Sequence, residues 1–270
     1  GTTKGGMRFL LRDIISNKSL FQRSDKPYVV MMGTNIIFNM DLNTIIEAHE
    51  NSGAQMTVVY CKATRNVEDE TKLEINENGR LTGVSAGVVY GDNASMDCCI
   101  VNRETLLEII DHYQAADYLD LLEALQGDFG NIDVCSYEYK GEVVGVFSEK
   151  SLYRRSMDLL DQTVADHLFD PERPILTKAH DVPPSRYATG SHACNSIISA
   201  GCIIKGTVRN SILSRGVVVE EGASVTNSII NQSCIIKSGA RVENAILDKN
   251  NVVPTNTELR GTPENILVLG

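Results

Sequence analysis

The residues able to do acid–base, nucleophilic or metal chemistry are spread along the sequence, and spacing decides what each can do. Asp41 and Glu47 could form a carboxylate pair, but Asp41 stands where a helix needs its N-cap and Glu47 falls on that helix's solvated side. His49, His112, His167 and His180 have no partners at metal-ligand spacing and read as structural or surface residues. Glu68, Asp69 and Glu70 read as a solvated loop. The seven cysteines are odd in number, show no CxxC and mostly sit in apolar runs, which favours reduced thiols over zinc ligands or disulfides. A phosphate ligand would want glycines between a strand and a helix. Gly1, Gly5 and Gly6 follow no strand, and Met7, Leu10, Leu11, Ile14 and Ile15 form a helical stripe of core type, so the sequence reads as starting inside its first domain.

With 270 residues, 42% apolar and 22% charged, the chain is long for one core and suits two globular domains. The formal charge of −10 with scattered Lys and Arg offers no footprint for a phosphate backbone, so nucleic acid is not an expected partner. No run reaches the ~18 apolar residues of a membrane span. The first residues lack a signal-peptide apolar region, and the expected location is the cytoplasm, without membrane.

What must position any site divides into two patterns. From Asn195 a ten-residue phrase recurs: NSIISAGCII, NSILSRGVVV, NSIINQSCII and NAILDKNNVV, starting 15, 17 and 17 residues apart. Aliphatic pairs occupy the third and fourth positions and again the ninth and tenth, with Gly201, Gly216, Ser233 and Asn250 at the corner between them. A third short segment ends each unit near Val208, Val225 and Val242. Three short faces per turn describe a hexapeptide-type parallel β-helix, with the leading Asn residues stacked so that their amides bond along the axis. Ile203, Val218, Ile235 and Val252 are expected to form one interior column.

Before the repeat, strands and helices alternate. YVVMM (28–32) reads as a strand buried on both faces. A helix capped by Asp41 and ended near Gly53 follows, and QMTVVYC (55–61) completes a βαβ unit. Asn78-Gly79 marks a hairpin. Further strands are expected at 96–101, 132–137 and 143–147, with helices near 104–113, 118–125 and 150–160. Residues 170–190 hold four of the seven prolines and read as an extended linker between an α/β domain (1–169) and the β-helix (191–270).

This arrangement resembles the sugar-phosphate nucleotidyltransferases, in particular the ADP-glucose pyrophosphorylase (glucose-1-phosphate adenylyltransferase) family. GTNIIFNMDL (33–42) is similar to the family's GDHIYKMDY, NASMDCCIVN (93–102) to its ASMGIYVFN, PILTK and PPSRY to its linker, and the repeats to its β-helix phrases. The resemblance implies an α/β nucleotidyltransferase-like (Rossmann-like) domain, lacking its N-terminal part here, and a C-terminal left-handed parallel β-helix of hexapeptide repeats. In that family, transfer uses Mg2+ held by two carboxylates. The resemblance places Thr34 where one stands and Gly145, in KGEVVGVFS, where the other stands. Near Ala86 to Val88, where the family has Glu-Lys-Pro, there is no Lys. A hydroxyl and a hydrogen do not replace two carboxylates around a hard cation.

The departures resemble the non-catalytic GlgD-type regulatory subunit. They imply no catalytic residue, no metal and no cofactor in this chain, a possible sugar contact at Ser95, and assembly with the catalytic subunit into a hetero- or homotetramer. The alternative is an active transferase. A more remote one is a hexapeptide acyltransferase, for which the nearest candidate base, His192, precedes the first clear repeat.

Overall fold

The computed structural model describes residues 9–116, 119–127, 129, 131–178 and 181–270. Of the expectations above, the glycines at 1, 5 and 6, Met7, His180 and the start of the helix at Tyr118 lie outside these. Contacts within the chain divide it between Phe147 and Ser148.

In the first unit, α1 (Leu11–Ser16) and α2 (Lys18–Arg23) precede β1 (Tyr28–Met32) and the short β2 (Ile36–Phe38). Then come α3 (Leu42–Ser52), β3 (Met56–Lys62), β4 (Val67–Ile75), β5 (Leu81–Val88), β6 (Asn93–Asn102), α4 (Arg103–His112), α5 (Leu121–Leu125), β7 (Val134–Glu138) and β8 (Val143–Gly145). The main sheet has the order β5-β4-β6-β3-β7, with β1 added beside β6. Its middle strand, β6, alternates sides, as a strand must. Met96, Cys98 and Ile100 pack with Ile45 of α3, whereas Cys99 and Val101 join Leu11, Leu106, Ile110 and Leu121 from α1, α4 and α5. Helices thus cover both faces, the α/β class expected.

Local sequence explains the elements. The Asp41 side chain accepts from the Asn43 amide at 2.9 Å, and Gly53 ends α3 at φ +62°, a conformation glycine adopts without steric cost. Asn78-Gly79 turns the β4–β5 hairpin. Two expectations are corrected. The strand at 28–32 is half-buried rather than enclosed, because it lies at an edge against β6, which separates it from β3; the two parallel strands of the βαβ unit are therefore not neighbours. Glu68 and Glu70 lie in β4 rather than in a loop, because pairing with β5 overrides the local charge.

The second unit begins with α6 (Glu149–Asp158) and α7 (Gln162–Leu168) and continues into the β-helix. Three parallel sheets of five short strands form its faces. One face stacks strands from His192–Cys194 to Glu258–Arg260, the second from Ile197–Ile198 to Leu267–Leu269, and the third from Arg186–Tyr187 to Val252–Val253. The interior is packed with Ile204, Val219, Ile236, Val208, Val225 and Leu213, all fully buried, with their coil neighbours. The corners at Gly201, Gly216, Ser233 and Asn250 have φ between +61° and +79°, which is why small or Asx-type residues recur there.

Two further corrections concern this unit. Ile203, Val218, Ile235 and Val252 do stack in register, but facing outward: Ile203 is 36% and Val252 49% exposed, while the following residue of each pair fills the interior. The linker reaches only to about Ser185, since Arg186–Tyr187 already pairs with Ile203–Ile204 as a β-helix strand.

Candidate functional site

Antiparallel pairing of β2 with β8 sets Ile36 opposite Gly145, and the Val146 amide donates to the Asn35 carbonyl at 2.7 Å. Thr34 lies in the bend that leads into β2, exposed, and Gly145 ends β8, buried. A Cβ on Gly145 would meet the Phe147 ring at 2.5 Å and the Glu70 carboxylate at 3.4 Å. The place where a side chain would leave Gly145 is filled by Phe147. With an exposed hydroxyl in the bend before β2 and a ring-covered glycine on β8, the residues present do not fit a divalent cation, whose oxygen ligands have to converge. Among the described residues no group of three or more His, Cys, Asp or Glu converges on a common point.

Beside them lies a tight, buried turn of β6. The Gly33 amide donates to the Asp97 carbonyl at 2.7 Å, and a Cβ on Gly33 would come within 2.8 Å of the Asp97 Cβ. Asp97 is 4% exposed with φ +47°, a left-handed backbone in which Asp is tolerated and glycine costs nothing. It stands where the phrase ASMG has its glycine. Ser95, 5% exposed, accepts from the Asp97 amide at 3.2 Å and turns its hydroxyl toward the Asp97 carboxylate at 3.5 Å. Ser95 is thus held by Asp97 within the fold. Ala86 and Val88 pair with Thr71 and Val67 on the β4–β5 hairpin.

The other candidates are either packed within the fold or exposed at its surface. His49 is 2% exposed, with Nδ1 2.8 Å from the Thr57 hydroxyl, Nε2 3.0 Å from Asn102 Oδ1 and the Tyr28 ring edge-on at 5.1 Å. His112, His167 and His192 are exposed. All seven thiols are free, Cys194 alone being exposed. Burial, helped by the nearby Glu70 charge, raises Cys61 to about 11; burial and Asp97 raise Cys98 to about 12, and burial raises Cys99 well above the ordinary thiol value. These thiols are neutral at physiological pH and poor nucleophiles.

Sequence reasoning passed over one polar feature. At a β-helix corner, Ser199, Ser214, Arg215, Asn231, Gln232 and Lys249 line a groove of about 560 Å³. The signal was present in the sixth position of the phrase, which reads Ala200, Arg215, Gln232 and Lys249, so the register stacks long polar side chains along one edge.

An α/β sheet domain followed by a hexapeptide-repeat β-helix defines the class of nucleotidyltransferase-like proteins that carry such a helix. The family model described as GlmU-like, C-terminal hexapeptide matches residues 182–264. The glycogen biosynthesis protein GlgD of Bacillus subtilis (strain 168) is 27% identical over 214 residues, 79% of this chain and 54% of the relative. GlgD of Geobacillus stearothermophilus is 30% identical over 205 residues, covering 76% and 51%. The glucose-1-phosphate adenylyltransferase of Corynebacterium jeikeium (strain K411) is 30% identical over 240 residues, covering 78% and 59%. The chain is thus similar to GlgD glycogen biosynthesis proteins and to glucose-1-phosphate adenylyltransferases. It spans about half the length of the curated relatives it matches. No helix among the described residues is long and apolar enough to cross a membrane.

Proposed function

We propose that this chain is a regulatory, non-catalytic subunit of glucose-1-phosphate adenylyltransferase in glycogen biosynthesis, acting in the cytoplasm by assembly with a catalytic, carboxylate-bearing relative into a tetramer. The observation that carries the reading is the filled place at Gly145, where Phe147 lies over the position that the resemblance assigns to a metal carboxylate. The likeness to two GlgD proteins supports it. Phosphoryl-type displacement is catalysed by positioning and charge neutralisation, and the catalytic relative, with its Mg2+, would supply both. Here Ser95 and Asp97 are engaged with each other, so the turn between them contributes rigidity to the fold.

The test is co-expression with a catalytic relative, followed by size-exclusion and assay of ADP-glucose formation from ATP and glucose 1-phosphate. The expected result is co-elution, altered kinetics of the relative, and no turnover by this chain alone. Turnover by the chain alone within the ordinary enzyme range of roughly 1–1,000 per second would favour the transferase reading. Separate elution with unchanged kinetics would leave no regulatory role.

A further inference from the structure

Glu108, Ile109 and His112 share one side of α4, spaced as neighbours on a helix surface are. Ile109 is buried, whereas Glu108 and His112 reach solvent. With Gln55, Tyr113 and Ile132 they line a cavity of about 330 Å³ in the first unit. The cavity lies where β3 and β7 begin. Ser95 pairs with Tyr60 near the other end of β3, so the stretch of strand from Gln55 to Tyr60, on the order of 15 Å, separates it from the Ser95–Asp97 turn. The Gln55 side-chain carbonyl accepts from the Asp133 amide at 3.0 Å, which holds Gln55 in the rim.

The lining combines an apolar floor with an aromatic wall. Ile109 and Ile132 supply the floor, and the rings of His112 and Tyr113 meet edge to face with centroids 4.7 Å apart. Three features of different origin favour positive charge here. The Glu108 carboxylate makes no ion pair among the described residues, whereas Asp111 and Asp133 are paired with Lys18 and Arg80. The negative end of the α4 macrodipole falls at His112. The Tyr113 ring attracts a cation that lies over its face. Among the described residues no Lys or Arg lines the cavity, and none occurs from Glu104 to Tyr139, a stretch with nine carboxylates. A phosphate or other anion would enter against that field. A metal ion is also disfavoured: Glu108 and His112 are two ligands where a metal centre needs three or four, and among the described residues no third converges on them.

We propose that this cavity binds a small organic cation, a primary amine on a short apolar or aromatic stem, with the stem against Ile109, Ile132 and Tyr113 and the ammonium on Glu108. The volume is at the lower end of the range for small-molecule sites, and a cavity of about 150 Å³ already holds a benzene ring. Apolar contact supplies most of the affinity. Glu108, being exposed, supplies selectivity: a solvated charge pair is worth little and a charged hydrogen bond somewhat more, so an amine should be preferred over its neutral isostere about five- to tenfold. The inference does not rest on the regulatory reading, since its test uses the chain alone.

The test is titration of the whole chain with benzylamine, benzyl alcohol and benzoate, which are alike in size and differ in charge, read by calorimetry or ligand-observed NMR. Benzylamine should saturate with a dissociation constant on the order of 1 mM. Benzyl alcohol should bind about five- to tenfold more weakly, and benzoate more weakly still. Glu108→Gln keeps the side chain's shape and should bring benzylamine to the level of benzyl alcohol, with the alcohol and the circular dichroism melt unchanged. Should Glu108→Gln perturb folding, His112→Arg carries the test, because a cation in the wall should weaken benzylamine and spare the alcohol. Equal affinity for the three compounds, no saturation by benzylamine below about 20 mM, or amine binding indifferent to these substitutions overturns the proposal.

Discussion

A side chain at position 145 has to displace an aromatic ring before it can do anything else, since Phe147 occupies the direction in which a Cβ would leave the backbone. Replacing Gly145 by Asp should therefore destabilise the first unit by about 1–3 kcal/mol, the usual cost of overpacking. Gly145→Asp/Phe147→Ala should recover part of that loss. Melting curves of the two variants check this, and an unaltered melt for Gly145→Asp would mean that Phe147 is not an obstacle. The resemblance points to Thr34 and Gly145 as departures from a carboxylate motif. It could not show that the direction of a side chain at Gly145 is filled, because that depends on how the Phe147 ring, two residues on, folds back over the glycine. Asp97 was equally hidden: its left-handed backbone arises where the β3–β6 pairing shifts register, between Val58 and Tyr60. A substituted glycine in the phrase ASMG was the only hint.

Among elements, the coils of the β-helix were the most legible, because corner chemistry recurs with the period of the fold. The Asn ladder is present from Asn195 to Asn244: Asn195 bonds Asn210 at 2.9 Å, Asn210 bonds Asn227 at 3.3 Å and Asn227 bonds Asn244 at 3.3 Å. All four also sit at φ between +42° and +50°, so each does two jobs, bonding along the axis and turning the corner. Asn227→Ala removes both. It should cost about 1–2 kcal/mol for the left-handed backbone and about 0.5–1.5 kcal/mol for each amide bond lost. Asn227→Gly relieves the backbone part and should lie measurably closer to wild type in urea unfolding. Equal losses would show that the corner conformation adds nothing. Which member of an aliphatic pair points inward was not legible, because Ile203 and Ile204, or Ile235 and Ile236, are chemically alike and neighbours in a strand face opposite ways. Only the corner geometry fixes that parity. The strand at Glu68 and Glu70 was missed for the opposite reason: its local composition is that of a loop, and the partner strand decides.

At the scale of the whole molecule, composition marked a boundary at the proline-rich stretch, whereas the contacts divide the chain between Phe147 and Ser148. Proline content reports where a backbone runs extended, not which elements share a core, and α6 illustrates the difference. Ser148 caps it through a reciprocal box with Ser151. Tyr153 then packs on Ile229 and Ile246 and donates its hydroxyl to the Asn227 carbonyl at 2.7 Å. A fragment beginning at Ser148 keeps this cover and the strand Arg186–Tyr187. One beginning at Ser191 exposes the two isoleucines and leaves Ile203–Ile204 without its partner on that side. Burying an aliphatic side chain contributes about 1.5–3 kcal/mol, so the loss for two is about 3–6 kcal/mol before the missing strand is counted. The shorter fragment should melt at a clearly lower temperature and bind a hydrophobic dye that the longer one ignores. If the two unfold together, the β-helix is self-sufficient and α6 is an appendage, and the division at Ser148 would then describe proximity rather than cooperative folding.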